Sequence, residues 1–317
     1  SWTGAIQPDI ANSSDFGNSV DRILTVYGYD GATTSLIKSE TYTNLFFEDL
    51  NGDDSDEILL FRINLNGVDK RTTVSVLSFN SDYSVSKNET MALTGFIEIA
   101  NVVTDTIEQN ATTHSRIYVD GMISEIGVIT EIIDISHDSF SVTLPLYEQN
   151  QSSKPLTLRD TRVYSSDIDN DGRVEMPTFE KMPYGARISK DTSERKDLNL
   201  TVWSEFKNNS ITSDFKCLLS TTYGYYFKCS DEITEKMTAI YDENNTTLTF
   251  YSLSKNGAVG DPLFSFKIFF EPDWEESGHN FTKLYEKNVY VYAYMIVDNS
   301  NSEIYENIIE DNFNLIN

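Results

Sequence analysis

The sequence predicts a mainly β N-terminal region followed by an α+β region, and three observations lead there. From Arg22 onward, short β-branched and aromatic runs follow one another, each bounded by Gly, Asn, Asp or Ser. Within that region a layout of strand, acidic loop and further strands recurs. Past Pro183 the strands continue, but the chain ends in a segment with apolar residues at helical spacing.

Bulk properties frame that prediction. At 317 residues the chain is more comfortably split into two domains than packed around one core. With 39% apolar residues, 18 Tyr and 18 Phe, it has ample material for a packed interior, which argues against disorder. Lys and Arg number 24 against 50 Asp and Glu, a net charge of -26, so the field repels nucleic acid and anionic membrane surfaces. No apolar run reaches the length of a membrane span, and Ser1 is not an initiator Met, so a leader or lipid anchor is expected upstream. Two cysteines exclude a disulfide framework and any multi-cysteine metal site. Cys217 and Cys229 flank a turn at Tyr223-Gly224, an arrangement compatible with a cross-hairpin bridge or with two buried thiols.

Taken in order, residues 1–20 lack any sustained period and read as a tail. Strands are predicted at 23–29, 35–41, 45–48, 58–63, 73–79, 83–87, 96–103, 116–119, 128–135, 140–146, 162–165 and 173–176. One unit of strand, acidic loop, strand, strand, turn, strand runs from about Asn44 to Lys87, and a second from about Gly95 to Leu146. A third starts at Thr161 and stops after two strands; in the second, the loop at 104–113 has lost its acidic ligands. Units of four strands predict a partial or open β-propeller-like array over 21–185.

Polar residues 186–199 read as a linker, and 200–317 as an antiparallel sheet with a packed helix. Its strands are predicted at 225–229, 237–241, 247–253, 264–270 and 289–297, with a short helix near 282–286. The terminal helix is expected to start at a Ser300/Glu303 capping box and to bury Ile304, Tyr305, Ile308, Ile309 and Phe313.

The specific chemistry lies in two nonapeptides, D-L-N-G-D-D-S-D-E at 49–57 and D-I-D-N-D-G-R-V-E at 167–175. Each places oxygen-bearing side chains at positions one, three, five and nine, with the carbonyl of position seven available. Ca²⁺ takes six to eight oxygens, and a chain curled around it turns every second side chain inward. The predicted ligands are Asp49, Asn51, Asp53, the Ser55 carbonyl and Glu57, then Asp167, Asp169, Asp171, the Arg173 carbonyl and Glu175. Gly52, Asn170 and Gly172 suit left-handed backbone. An EF-hand is excluded, because position twelve is Leu60 or Thr178 and the flanks are strand-like.

On these residues the chain resembles the FG-GAP and VCBS repeat family, whose calcium loops follow D-x-[DN]-G-D-G-x-x-[DE] between the first two strands of a propeller blade. The stretch R-V-Y-S-S-D-I-D-N-D-G-R-V-E-M-P is also similar to VCBS-repeat surface lipoproteins of gut clostridia. The resemblance implies a secreted or cell-surface protein, a lipoprotein, whose scaffold is stiffened by two calcium ions. It carries over no catalytic residue.

No nucleophile elbow, zinc helix, Walker loop or Rossmann fingerprint is present, and His114, His137 and His279 are isolated from one another. Trp2, Trp203 and Trp274 with Tyr223, Tyr225 and Tyr226 form either a sugar-stacking platform or ordinary core. The reading favoured by the sequence is an extracellular, calcium-stabilised binding or scaffold protein with a protein or glycan ligand. The alternatives are a glycan-active hydrolase with structural calcium and a structural module of an envelope assembly.

Overall fold

The computed structural model describes residues 9–10, 21–29, 32–50, 55–65, 71–80, 82, 84–109, 112–125, 127–136, 139–145, 155–190, 194–207 and 210–316. The protein is mostly β, as predicted. It divides into two compact units, Ser1–Met176 with Phe206–Ile211, and Pro177–Glu205 with Thr212–Asn317.

In the first unit, β1 (Asp9–Ile10), β2 (Arg22–Tyr29) and β3 (Thr34–Tyr42) make a three-stranded sheet. A four-stranded sheet follows from β4 (Asn44–Glu48), β5 (Glu57–Arg62), β6 (Thr73–Phe79) and β7 (Val85–Ala92). A second comprises β8 (Glu98–Gln109), β9 (Thr112–Met122), β10 (Val128–Ser136) and β11 (Ser139–Thr143). Both are meanders in which each strand pairs antiparallel with the next.

Alternation along these strands explains their stacking. On β5, Leu59 and Phe61 join Val74, Val76, Ile117, Val119, Ile129 and Ile133 in one core, while Ile58 and Leu60 face Leu24, Val26 and Leu77 in another. A continuous apolar run is what a strand buried on both faces requires. Each such side chain contributes about 1.5–3 kcal/mol on burial. The same alternation sends Tyr118 and Ile132, on the opposite face of the β8–β11 sheet, to Val174, Met176 and Phe206.

Three readings change here. The predicted loop 104–113 is strand over 104–109 and 112–113, its described residues: β8 and β9 pair as far as Gln109↔Thr112. Residues 162–165 form no strand, and the third unit is reduced to a single bridge, Ser166↔Glu175, before the chain enters the next sheet. Of the predicted tail, Asp9 and Ile10 pair with Ile23 and Arg22, and residues 1–8 and 11–20 lie outside the described residues.

The second unit holds a curled ten-stranded sheet. Its strands are β12 (Met176–Ile188), β13 (Arg195–Lys207), β14 (Ser210–Ser220), β15 (Tyr225–Lys228), β16 (Met237–Asp242), β17 (Thr247–Leu253), β18 (Val259–Phe270), β19 (Thr282–Lys287), β20 (Tyr290–Ile296) and β21 (Phe313–Leu315). The predicted linker stretch contributes residues 186–188 to β12 and 195–199 to β13, which are neighbours in this sheet. The sheet is not wholly antiparallel, since β12 and β16 run parallel. Helices α1 (Asp231–Lys236), α2 (Glu271–Ser277) and α3 (Ser302–Asn312) complete the unit.

Aromatic rings fill the interior. Phe250 lies 4.9 Å from Phe227 and 4.7 Å from Phe264 between centroids, and Phe313 stacks on Tyr225 at 5.1 Å. Trp203, Tyr225 and Tyr226 are buried here and Trp274 packs on Phe269, so the sugar-stacking platform does not form from those residues. Residues 282–286 are strand rather than helix, because they pair along β20. The capping box also gives way: Asp298 accepts from Ser300 N at 3.0 Å to start a 3-10 turn, and α3 begins after it at Ser302. On α3, Tyr305 and Ile309 are buried, but Ile304 points outward at 56% exposure.

Cys217 and Cys229 are free, buried thiols. Burial pushes Cys217 up to about 12 and raises Cys229 as well, so neither forms the reactive thiolate near neutral pH. Ellman's reagent is expected to find no accessible thiol in the native protein and two after denaturation without reductant. Finding none after denaturation would mean a bridge. Among the described residues no helix is long and apolar enough to cross a membrane.

Candidate metal centre

The 167–175 loop is pinched at its base by the Ser166↔Glu175 bridge, with N–H···O distances of 3.1 and 3.0 Å in the two directions. Ile168 and Val174 are buried and anchor the two arms. Between them the chain turns back on itself through left-handed residues, Asn170 at φ 63° and Gly172 at φ 87°, where the sequence placed such backbone. Asp167 tightens the turn by accepting from Asp171 N at 3.0 Å and Gly172 N at 2.9 Å. Asp171 in turn accepts from Arg173 N at 2.9 Å.

This curl gathers charge. Asp167, Asp169 and Glu175 each bring a carboxylate oxygen within 4.8 Å of the other two, and Asp171 brings one within 4.8 Å of Glu175. Glu175 is fully buried. Its Oε2 accepts from Ile168 N at 3.1 Å, while its Oε1 has no hydrogen-bond partner. Burial, and then repulsion from Asp169, Asp171 and Asp167, pushes the Glu175 carboxyl up to about 8. A buried, partnerless carboxylate oxygen facing other carboxylates suits a hard divalent cation, whose charge reverses the local repulsion.

The 49–57 loop shares this frame. Glu48 pairs with Glu57 at its base, Leu50 is fully buried, and Leu50 N donates to Glu57 Oε2 at 2.9 Å. Position two therefore donates to position nine in both loops. Ser115 of β9 holds this loop with two bonds, its Oγ to the Asp49 carbonyl at 3.2 Å and its N–H to the Leu50 carbonyl at 3.1 Å. Asp49 is half-buried, Ser55 exposed and Glu57 buried; Asn51 and Asp53 lie outside the described residues.

Two features of the surroundings escaped sequence reasoning. Asp105 of β8 accepts from Val174 N at 3.4 Å and Tyr118 Oη at 3.0 Å, and burial raises its carboxyl. Asp120 of β9 forms a buried ion pair with Arg159 at 2.7 Å and accepts from Ser165 N at 2.6 Å, next to the bridge that closes the 167–175 loop. Both depend on residues far apart in sequence, which no local pattern reveals. No protein-family model matches this chain, and no curated protein matches it either.

Proposed function

We propose that this is an extracellular, calcium-stabilised binding or scaffold protein of a bacterial cell surface, akin to the FG-GAP and VCBS repeat family. The observation that carries the reading is the convergence of Asp167, Asp169 and Glu175 around the unpartnered Glu175 Oε1. The position-two to position-nine bond common to both loops supports a second ion in the 49–57 loop. In that reading Asp49, Asn51, Asp53, Glu57 and the Ser55 carbonyl bind one Ca²⁺, and Asp167, Asp169, Asp171, Glu175 and the Arg173 carbonyl the other.

The sheets of the first unit are then blades of an open propeller-like array. Support comes from their stacking in chain order, each burying one face on the next, and from the 49–57 loop joining β4 to β5, the first two strands of its sheet. Calcium would hold each loop closed by neutralising its acids, with no part in any reaction. A structural ion needs a steady supply, and loops of modest affinity fill where calcium is abundant, outside the cell. The large negative charge suits a solvated surface protein. Antibodies against the chain are expected to label intact cells of its source; labelling only after lysis would contradict a surface location.

A further inference from the structure

The second unit carries a cleft of about 340 Å³ that the calcium reading leaves unused. Its size falls at the lower end of small-ligand pockets. It lies between the β16–β17 turn, the end of β18, and α2. One wall is aromatic. Phe270 is 53% exposed and leans on Tyr290 at 5.2 Å, and Tyr290 meets Tyr223 edge-on at 5.6 Å. A large ring that exposed at the mouth of a cleft offers solvent an apolar face.

The polar lining is mixed in sign. Lys267 contributes an ammonium that lies over the Phe269 ring at 4.9 Å, while Asp273 and Glu276 of α2 contribute carboxylates. Asn244 and Asn245 both donate their side-chain N–H groups to Asp242, at 3.0 and 2.8 Å, which leaves their amide oxygens as acceptors. Between these groups sits Thr246 at φ 51°, a left-handed conformation that a β-branched residue rarely adopts. Its hydroxyl lies within hydrogen-bond distance of the Asn245 carbonyl at 2.7 Å and the Ile268 carbonyl at 3.0 Å, either of which takes its one proton. Strain held in this way is characteristic of ligand-binding turns.

We propose that the cleft binds a neutral pyranose sugar unit. A charged ligand would pair with one sign and leave the other desolvated and unmatched. Hydroxyl groups both donate and accept, so a polyhydroxylated neutral ring satisfies the ammonium, the carboxylates and the amide oxygens together. Its C–H face buries the exposed ring of Phe270.

The test is saturation-transfer-difference NMR on the full chain, with glucose, galactose, N-acetylglucosamine and their β-linked disaccharides as probes, and choline and glucuronate as charged controls. Transfer to the ring protons of at least one neutral sugar is expected, weakened about tenfold by Phe270→Ala, the effect of losing one good contact. Phe270 is exposed, so that variant should keep its melting temperature. Glu276→Gln, also at an exposed position, should weaken binding while leaving the fold intact. The proposal is overturned if no neutral sugar shows transfer, if both variants bind as well as the parent, or if either charged control binds more tightly.

Discussion

Asp120→Ala is expected to cost about 3–5 kcal/mol of unfolding free energy, the usual penalty for breaking a buried ion pair from one side. Both partners are fully buried. Asp120 Oδ1 accepts from Thr130 at 2.6 Å, Arg159 at 2.7 Å and Ser165 Oγ at 2.9 Å, and Oδ2 accepts from Ser165 N at 2.6 Å and Asn101 at 3.0 Å. Removing the carboxylate strands the Arg159 guanidinium, whose protonated form burial already disfavours and Asp120 supports. Arg159 would keep its bonds to the Thr157 and Val163 carbonyls but lose its counter-charge.

An apolar exchange of both partners, Asp120→Leu with Arg159→Met, should recover the part of that loss due to the stranded guanidinium, because it removes the charge together with its partner, while the donors of Thr130, Ser165 and Asn101 still lose their acceptor. Urea denaturation of the two variants measures both numbers. A loss below about 1 kcal/mol for Asp120→Ala would mean that the network does not hold residues 157–165 in place.

Calcium is expected to raise the melting temperature. Binding to the folded state alone adds about 2.7 kcal/mol at a hundredfold excess over Kd, and each kcal/mol moves the transition of a domain this size by roughly 2–4 °C. Glu175→Gln should remove the contribution of the 167–175 loop, and Glu57→Gln that of the 49–57 loop. In chelator, Glu175→Gln should be no less stable than the parent, since burial and then the neighbouring acids already disfavour the ionised carboxyl in the fold, and a neutral amide does not have to be protonated to be buried there. Magnesium should substitute poorly, because it demands near-octahedral geometry at shorter distances. Equal melting temperatures in chelator and in millimolar calcium would count against both sites.

Much of the first unit was legible because its strands are short, alternate cleanly and end at turn formers. Residues 58–61 illustrate this: four apolar side chains in a row mark a strand covered on both faces, and the structure covers both. The left-handed positions at Asn170 and Gly172 were legible from residue type alone. What failed was decided by distant partners. Thr282 to Glu286 carry no strong local preference and become strand through β20. Residues 104–109 kept pairing because nothing there forces a turn before Gln109. The N-cap of α3 moved by one residue, from Ser300 to Asn301, because Asp298, outside the expected box, captured Ser300. Asp120 and Arg159 are ordinary charged residues in sequence, and only the fold brings them together.

The most direct measurement is equilibrium dialysis of the full chain against radioactive calcium, counting ions bound at saturation. Two ions per chain are expected, falling to one in Glu175→Gln or Glu57→Gln and to none when both are replaced. Binding no greater than that of the doubly substituted chain would contradict the claim that these loops are calcium sites.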